Sequence, residues 1–348
     1  MTSKVLTEDA QQFIFDVLRC FIKRDREVLI PNNLNWTWIP SVVSRLKLGP
    51  IFKHVLKDQK IPELLLTQWN DEQIITFVKN TRALVSAIKL FKILDEAAIP
   101  SVVLRGISLV NHIYPVDSIA VRPMVDVDML IKPCDRDNLR KIFQSNGFHI
   151  ARQLRSQLVY VIDGITFEIH WSLLTPKRYR FAVTSKTFLE TRQCIVLPEG
   201  RIYCLSKENE LIGLVVHSFV HHDLNGILPL VDIAILIGHY QLNWQFIAEW
   251  CKEVQLSKLF FFVLSLVNRL FNLNLEDELS IFAQSLPPQS DKTLDAYTKR
   301  FFGGDSILHY LRRKRNLFFV AEHPLTKLKQ AVRLFAYDEL CKLVKLYS

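Results

Sequence analysis

Two aspartates, Asp126 and Asp128, stand one residue apart in "VRPMVDVDMLIKP", a run whose neighbouring residues Val125, Val127, Met129, Leu130 and Ile131 favour strands. Alternate strand side chains share a face, so both carboxylates project together while Val125 and Val127 face the other way. Sheets avoid Asp, and a carboxylate turned toward a core is costly unless it is paired or binds a cation. Two adjacent carboxylates repel, which keeps one protonated unless a cation lies between them. Mg²⁺ removes that conflict, because it accepts carboxylate oxygens at about 2.0–2.1 Å and keeps its remaining positions for water or phosphate. A third acid, Glu168, lies in "TFEIHW", within a later strand run. If that strand packs in register beside the Asp-x-Asp strand, Glu168 faces the same cavity. Two ions about 3.5–4 Å apart there could polarise a phosphoryl group and activate an acceptor hydroxyl.

A phosphate cradle is the remaining part. "LRGIS" offers strand, glycine and helix start, with Gly106 allowing close backbone approach and Ser108 a hydroxyl. Arg105 and Arg122 are the candidates to neutralise phosphate charge. Each piece alone is weak: Asp-x-Asp occurs by chance on solvated edge strands, and a lone Glu168 reads as a surface acid. The ordered set, glycine turn, acid pair on a strand, then an acid on a later strand, is far more specific. His170 shares a face with Glu168 and could contact substrate or orient the glutamate; Trp171 reads as core. His217 and His221 are four apart, with His222 adjacent and Asp232 further on. That spacing can bind a metal on one helical face and so supports a metal hydrolase, but no Glu stands beside the first His. A buried polar pair of His217 with Asp232, joining two helices, is the better reading.

The elements that must hold these residues fall into three blocks. Residues 1–98 read as helical: "FIFDVLRCF" carries apolar residues at helical spacing, and Asp71 to Ala98 forms one long amphipathic pattern ending before Pro100. Residues 99–205 read as a small α+β unit with a mostly antiparallel sheet. "SVVLRG" is a short strand, "ISLVNHIY" a helix of about two turns, and "DRDNLRKIFQSNG" a helix stopped by Gly147. "LVYVIDGITFEIHW" is a hairpin around Asp163-Gly164. Residues 206–348 return to helices from Ser206 onward and end in a basic tail. The predicted fold is therefore α/β in the α+β sense: a small mixed or antiparallel sheet core flanked by N- and C-terminal helical regions.

Composition narrows the setting. The 348 residues are 49% hydrophobic and 23% charged, which is globular material without low-complexity segments or repeats. The first twenty or so residues lack an apolar signal region, and the longest apolar stretch, Leu259 to Val267, is too short to span a membrane. Six scattered cysteines without CxxC spacing read as reduced thiols, so a cytoplasmic protein is expected. Net charge is +9, and Lys292 to Ser348 holds 12 Lys plus Arg against 5 Asp plus Glu. The run Arg312 to Arg315, "RRKR", is a solvated helix face or a contact for a polyanion.

The order of "LRGISLVNHIYP", "RPMVDVDMLIKP", "FEIHW" and "ELIGLVVHSFVHHDLNGILPLVDIAILI" resembles the DNA polymerase beta nucleotidyltransferase superfamily, and within it the branch of uncharacterised nucleotidyltransferases. The likeness runs from about residue 35 to 275. It implies metal-dependent transfer of a nucleoside monophosphate from an NTP such as ATP, with Mg²⁺ or Mn²⁺ as cofactor. On that resemblance Asp126, Asp128 and Glu168 are metal ligands and catalytic groups, while Arg105, Gly106, Ser108 and Arg122 bind the nucleotide. The acceptor could be a small molecule, a peptide or RNA. Two departures stand out: Ile107 separates Gly106 from Ser108, and Arg105 stands where the branch carries Lys. An alternative expectation is a non-catalytic partner protein that keeps the fold and binds a nucleotide or peptide.

Overall fold

Local signals set the first helices. Thr7 accepts a hydrogen bond from the Ala10 N–H and caps α1 (Glu8–Lys23), which buries Phe13, Ile14, Val17 and Leu18 on one face. Short helices α2 (Ile39–Arg45) and α3 (Gly49–Leu56) each begin with a proline in the first turn. The long helix α4 (Glu63–Glu96) starts after Pro62, eight residues earlier than its apolar periodicity suggests. The computed structural model describes residues 7–25, 27–115, 118–154, 156–174, 183–222, 224, 226–283, 294, 297–298 and 301–302. The basic run Arg312 to Arg315 lies outside them.

The sheet unit follows as β1 (Ser101–Leu104), α5 (Gly106–His112), β2 (Val127–Ile131), α6 (Arg136–Ser145), β3 (Ile150–Gln153), β4 (Gln157–Ile162) and β5 (Ile165–His170). Its five strands lie in the order β1-β2-β5-β4-β3. All neighbours are antiparallel except β2 and β5, which run parallel. The sheet is thus mixed, with one parallel pair at its centre. Asp163 and Gly164, both with positive φ (53° and 76°), join β4 to β5. That conformation favours glycine at the second turn position.

Strand parity divides the sheet. On one face Val103, Met129, Ile131, Phe167 and Ile169 pack with Phe91 and Leu94 of α4 and Leu139 and Phe143 of α6. On the other, Val102, Leu104 and Leu130 join a larger core with α1, α3 and the later helices. Asp128, Glu168 and His170 have the parity of this second face. After short strands β6 (Ser172–Leu174) and β7 (Val183–Thr184), helix α7 (Lys186–Glu190) and the hairpin β8 (Gln193–Leu197) and β9 (Gly200–Cys204), the chain returns to helix. Ser206 caps α8 (Lys207–Val216), accepting from the Asn209 N–H. A π-helical turn, His217–His221, continues α8, and α9 (Leu228–His239), α10 (Trp244–Glu253), α11 (Ser257–Phe271) and α12 (Glu276–Ala283) complete the described helices. Among the described residues no helix is long and apolar enough to cross a membrane.

Candidate active site

The β2–β5 register sets the site. Asp128 pairs with Glu168 across the parallel strands, and Leu130 with His170. One ligand atom each from Asp128, Glu168 and His170 lie within 4.8 Å of one another. β2 begins at Val127, so Asp126 belongs to the segment just ahead of the strand rather than to the strand itself. It still lines the cavity that Asp128 lines, as does Val125, which is 74% exposed, whereas Glu168, expected to face the same cavity, is not among the residues that line it. Burial, then the nearby charges of Asp128 and Glu168, push the Asp126 carboxyl up to about 6. Asp126 therefore feels both other carboxylates, but the close group of ligand atoms is Asp128, Glu168 and His170, without Asp126.

Asp128 is already balanced by groups of this chain. Arg105 donates to its Oδ2 from Nε at 3.0 Å, with Nη2 alongside, and His170 Nε2 sits 2.8 Å from Oδ1. Burial alone would raise the Asp128 pKa, but the Arg105 charge and the His170 hydrogen bond hold it well below the usual carboxylate range. His170 lies 3.7 Å from Glu168, so it serves Asp128 more closely than the glutamate, whose orientation was one of the two roles open to it alongside substrate contact. Gln157, on the adjacent strand, donates from Nε2 to Glu168 Oε2.

The glycine turn is braced from below by an acid that sequence reasoning missed. Glu210 of α8, 1% exposed, accepts from the Arg105 backbone N–H at 3.1 Å and from the Ser108 hydroxyl at 2.7 Å. Arg105 has φ 53° and ψ −137°, a conformation that non-glycine residues avoid, and this brace helps hold it. Ser108, expected on phosphate, is fully buried with its hydroxyl directed to Glu210. Gly106 lines the cavity, and a Cβ there would come within 2.6 Å of Met124 Sδ. A buried glutamate in an apolar helix, "ENELIGLVV", is the signal that marks Glu210 in the sequence.

Arg122 also lines the cavity and forms a buried fork with Asp232 of α9: Nε to Oδ1 at 2.8 Å and Nη2 to Oδ2 at 2.7 Å. The Tyr114 hydroxyl donates to Asp232 Oδ1 at 2.7 Å. The Asp232 carboxylate is thus taken by Arg122 and Tyr114, where the sequence suggested His217. That engagement leaves it poorly placed to be a metal ligand with the histidines. His217 and His222 face each other with Nε2 atoms 2.9 Å apart, on the cavity wall. The cavity, about 490 Å³, lies between the acids of the sheet unit and the residues of α8, α9 and the link from α2 to α3.

No curated protein matches this chain. Two solved structures show a limited likeness. The antibiotic-resistance factor ANT(2'')-Ia in solution is 14% identical over 45% of this chain and 83% of its own, with a TM-score of 0.34. The crystal structure of ANT(2'')-Ia in complex with adenylyl-2''-tobramycin is 12% identical over 63% of this chain and 94% of its own, with a TM-score of 0.26. Residues 32–272, well over half of the 348, match the model of the family described as uncharacterised nucleotidyltransferase, and the chain belongs to that family.

Proposed function

We propose that this protein is a divalent-metal-dependent enzyme that moves a nucleoside monophosphate from an NTP to an acceptor hydroxyl or phosphate, releasing pyrophosphate. The observation that carries the reading is the parallel β2–β5 register, which stands Asp128 beside Glu168, with Asp126 and Asp128 on the wall of one cavity. The residues suit a hard cation by charge: Asp128 and Glu168 stand side by side with Asp126 near them, and burial first and these two charges second raise the Asp126 carboxyl, a cost that a bound cation relieves. Asp126, Asp128 and Glu168 would hold Mg²⁺ or Mn²⁺, which when bound supplies Lewis-acid stabilisation of phosphoryl charge.

The chain's own groups do the rest. Glu168 is partly exposed and takes the proton of the acceptor hydroxyl. Gln157 on Oε2 restrains its orientation. His170 fixes the Asp128 carboxylate from the side away from Arg105. Arg105, Gly106 and Arg122 form the wall assigned to the nucleotide, and Ser108 acts on that wall indirectly, through Glu210. With a cation held at Asp128, the Arg105 guanidinium would be a donor available to phosphate.

A second reading has its own support. The Arg105–Asp128 ion pair already balances the central acid, as it would in a module that binds a nucleotide or peptide without turning it over. Turnover separates the two. The full chain is incubated with each labelled NTP, Mg²⁺ or Mn²⁺ and a cell extract as acceptor source, and pyrophosphate release and nucleotide-sized mass additions are measured. Both appear with the wild type and vanish in Asp128→Asn. Neither product with any NTP, while NTP still binds, favours the non-catalytic module.

A further inference from the structure

Four cationic side chains line the cavity: Arg45, Lys47, Arg105 and Arg122. Two of them are paired with acids, Arg105 with Asp128 and Arg122 with Asp232. The other two come from the N-terminal helical region, outside the sheet unit. Arg45 closes α2 and donates from Nη2 to the Phe301 carbonyl at 3.1 Å. Lys47 lies in the link to α3. Among the described residues neither has an acidic partner, so they are the uncompensated positive charge on the wall of a cavity that also holds Asp126 and Asp128.

The link is built to present them. Lys47 N–H donates to the Ser44 carbonyl at 2.9 Å and Leu48 N–H to the Val43 carbonyl at 2.9 Å, the paired bonds of a Schellman helix end. Leu46 and Leu48 are buried on either side of exposed Lys47, which leaves the lysine turned outward between two anchors. Its φ of 59° is left-handed, in the one position of this motif where glycine is the least strained residue. Ser44 pins the end of α2 to α4, bonding Glu72 Oε1 and accepting from Gln68 Nε2 at 3.0 Å. A lysine stands where glycine fits best, on a braced turn, lining a cavity that Asp126 and Asp128 also line.

Resting on the nucleotidyltransferase reading, we propose that Arg45 and Lys47 bind the polyphosphate tail of the NTP, the part that departs as pyrophosphate. The metal-binding acids take the phosphate that is transferred; the two cations, on another wall of the same cavity, take the phosphates beyond it. The N-terminal helices are then part of the active site, and a polyphosphate is recognised more strongly than a monophosphate.

The test is calorimetric titration of the full-length protein with sodium tripolyphosphate, ATP and AMP, each with Mg²⁺, comparing wild type with Lys47→Gly and Arg45→Gln. Each substitution is expected to weaken tripolyphosphate and ATP by about tenfold and to leave AMP unchanged. Lys47→Gly should unfold at the same or a higher temperature, since it removes left-handed strain, so a loss of binding would not be a loss of fold. Tripolyphosphate that binds both variants as tightly as wild type, that fails to bind wild type, or an equal loss for AMP and ATP overturns the proposal. Mn²⁺ binding in the same proteins reports separately on the carboxylates. If it persists while tripolyphosphate fails, only this inference falls; if wild type binds no Mn²⁺, the metal-dependent reading falls with it.

Discussion

Glu210→Gln tests how the glycine turn is held. Glu210 is almost fully enclosed, and its carboxyl is raised to about 7 by burial, against hydrogen bonds from Ser108 and the Arg105 N–H that favour the ionised form. The Arg105 charge also lowers it, and Asp232 raises it. An ordinary glutamate in the unfolded chain titrates at 4.5. Between those values the folded protein keeps a proton that the unfolded chain has released. The resulting stability is fully present below pH 4.5 and is lost as pH rises through 7. At roughly 1.4 kcal/mol per pH unit, the loss amounts to about 3 kcal/mol. Glutamine imitates the protonated acid: its carbonyl still accepts from Arg105 N–H, and its amide can donate to Ser108. Urea unfolding of the two proteins at pH 5 and pH 8 should therefore give similar stability at pH 5 and a more stable variant at pH 8. A variant less stable than wild type at pH 8 by a similar amount would show that Glu210 works as a buried anion, and the reasoning would fail.

Two further substitutions probe the frame around the cavity. Asp232→Ala leaves the Arg122 guanidinium buried without its partner and removes the Tyr114 acceptor, so urea unfolding should show a loss of about 3–5 kcal/mol. A change below about 1 kcal/mol would mean that Arg122 reaches water or another acceptor. Gly164→Ala strains the β4–β5 turn at its positive φ of 76°, and thermal unfolding should fall by an amount equivalent to about 1 kcal/mol. No change would mean that the turn relaxes without disturbing β5.

Much of the frame was legible because its signals are local. Asp163-Gly164 announced the hairpin, Gly147 the end of α6, and Ser206 the start of α8. The spacing of Asp126 and Asp128 placed both at one cavity, although only Asp128 lies within the strand. The rest depended on which distant segments meet. The mostly antiparallel sheet expected from sequence has a parallel pair at its centre, and that pairing brings Glu168 beside Asp128. Neither propensity nor turn chemistry encodes the order of strands. Arg122 and Asp232 are 110 residues apart, and Ser108 and Glu210 are 102 apart, so their pairing follows from helices docking on the sheet. Arg105 showed its charge in the sequence but not its backbone strain, which arises where β1 turns sharply into α5.

Both the catalytic reading and the assignment of the two N-terminal cations depend on whether these acids take up a divalent ion. Direct titration of Mn²⁺, followed by the loss of its free electron paramagnetic resonance signal, decides this without any acceptor or nucleotide. Wild type should bind Mn²⁺, Mg²⁺ should compete for it, and Asp128→Asn and Glu168→Gln should each lose the site while remaining folded. Mn²⁺ left free by wild type, or bound equally well by both variants, would contradict the claim that Asp128 and Glu168 were brought side by side to hold a cation.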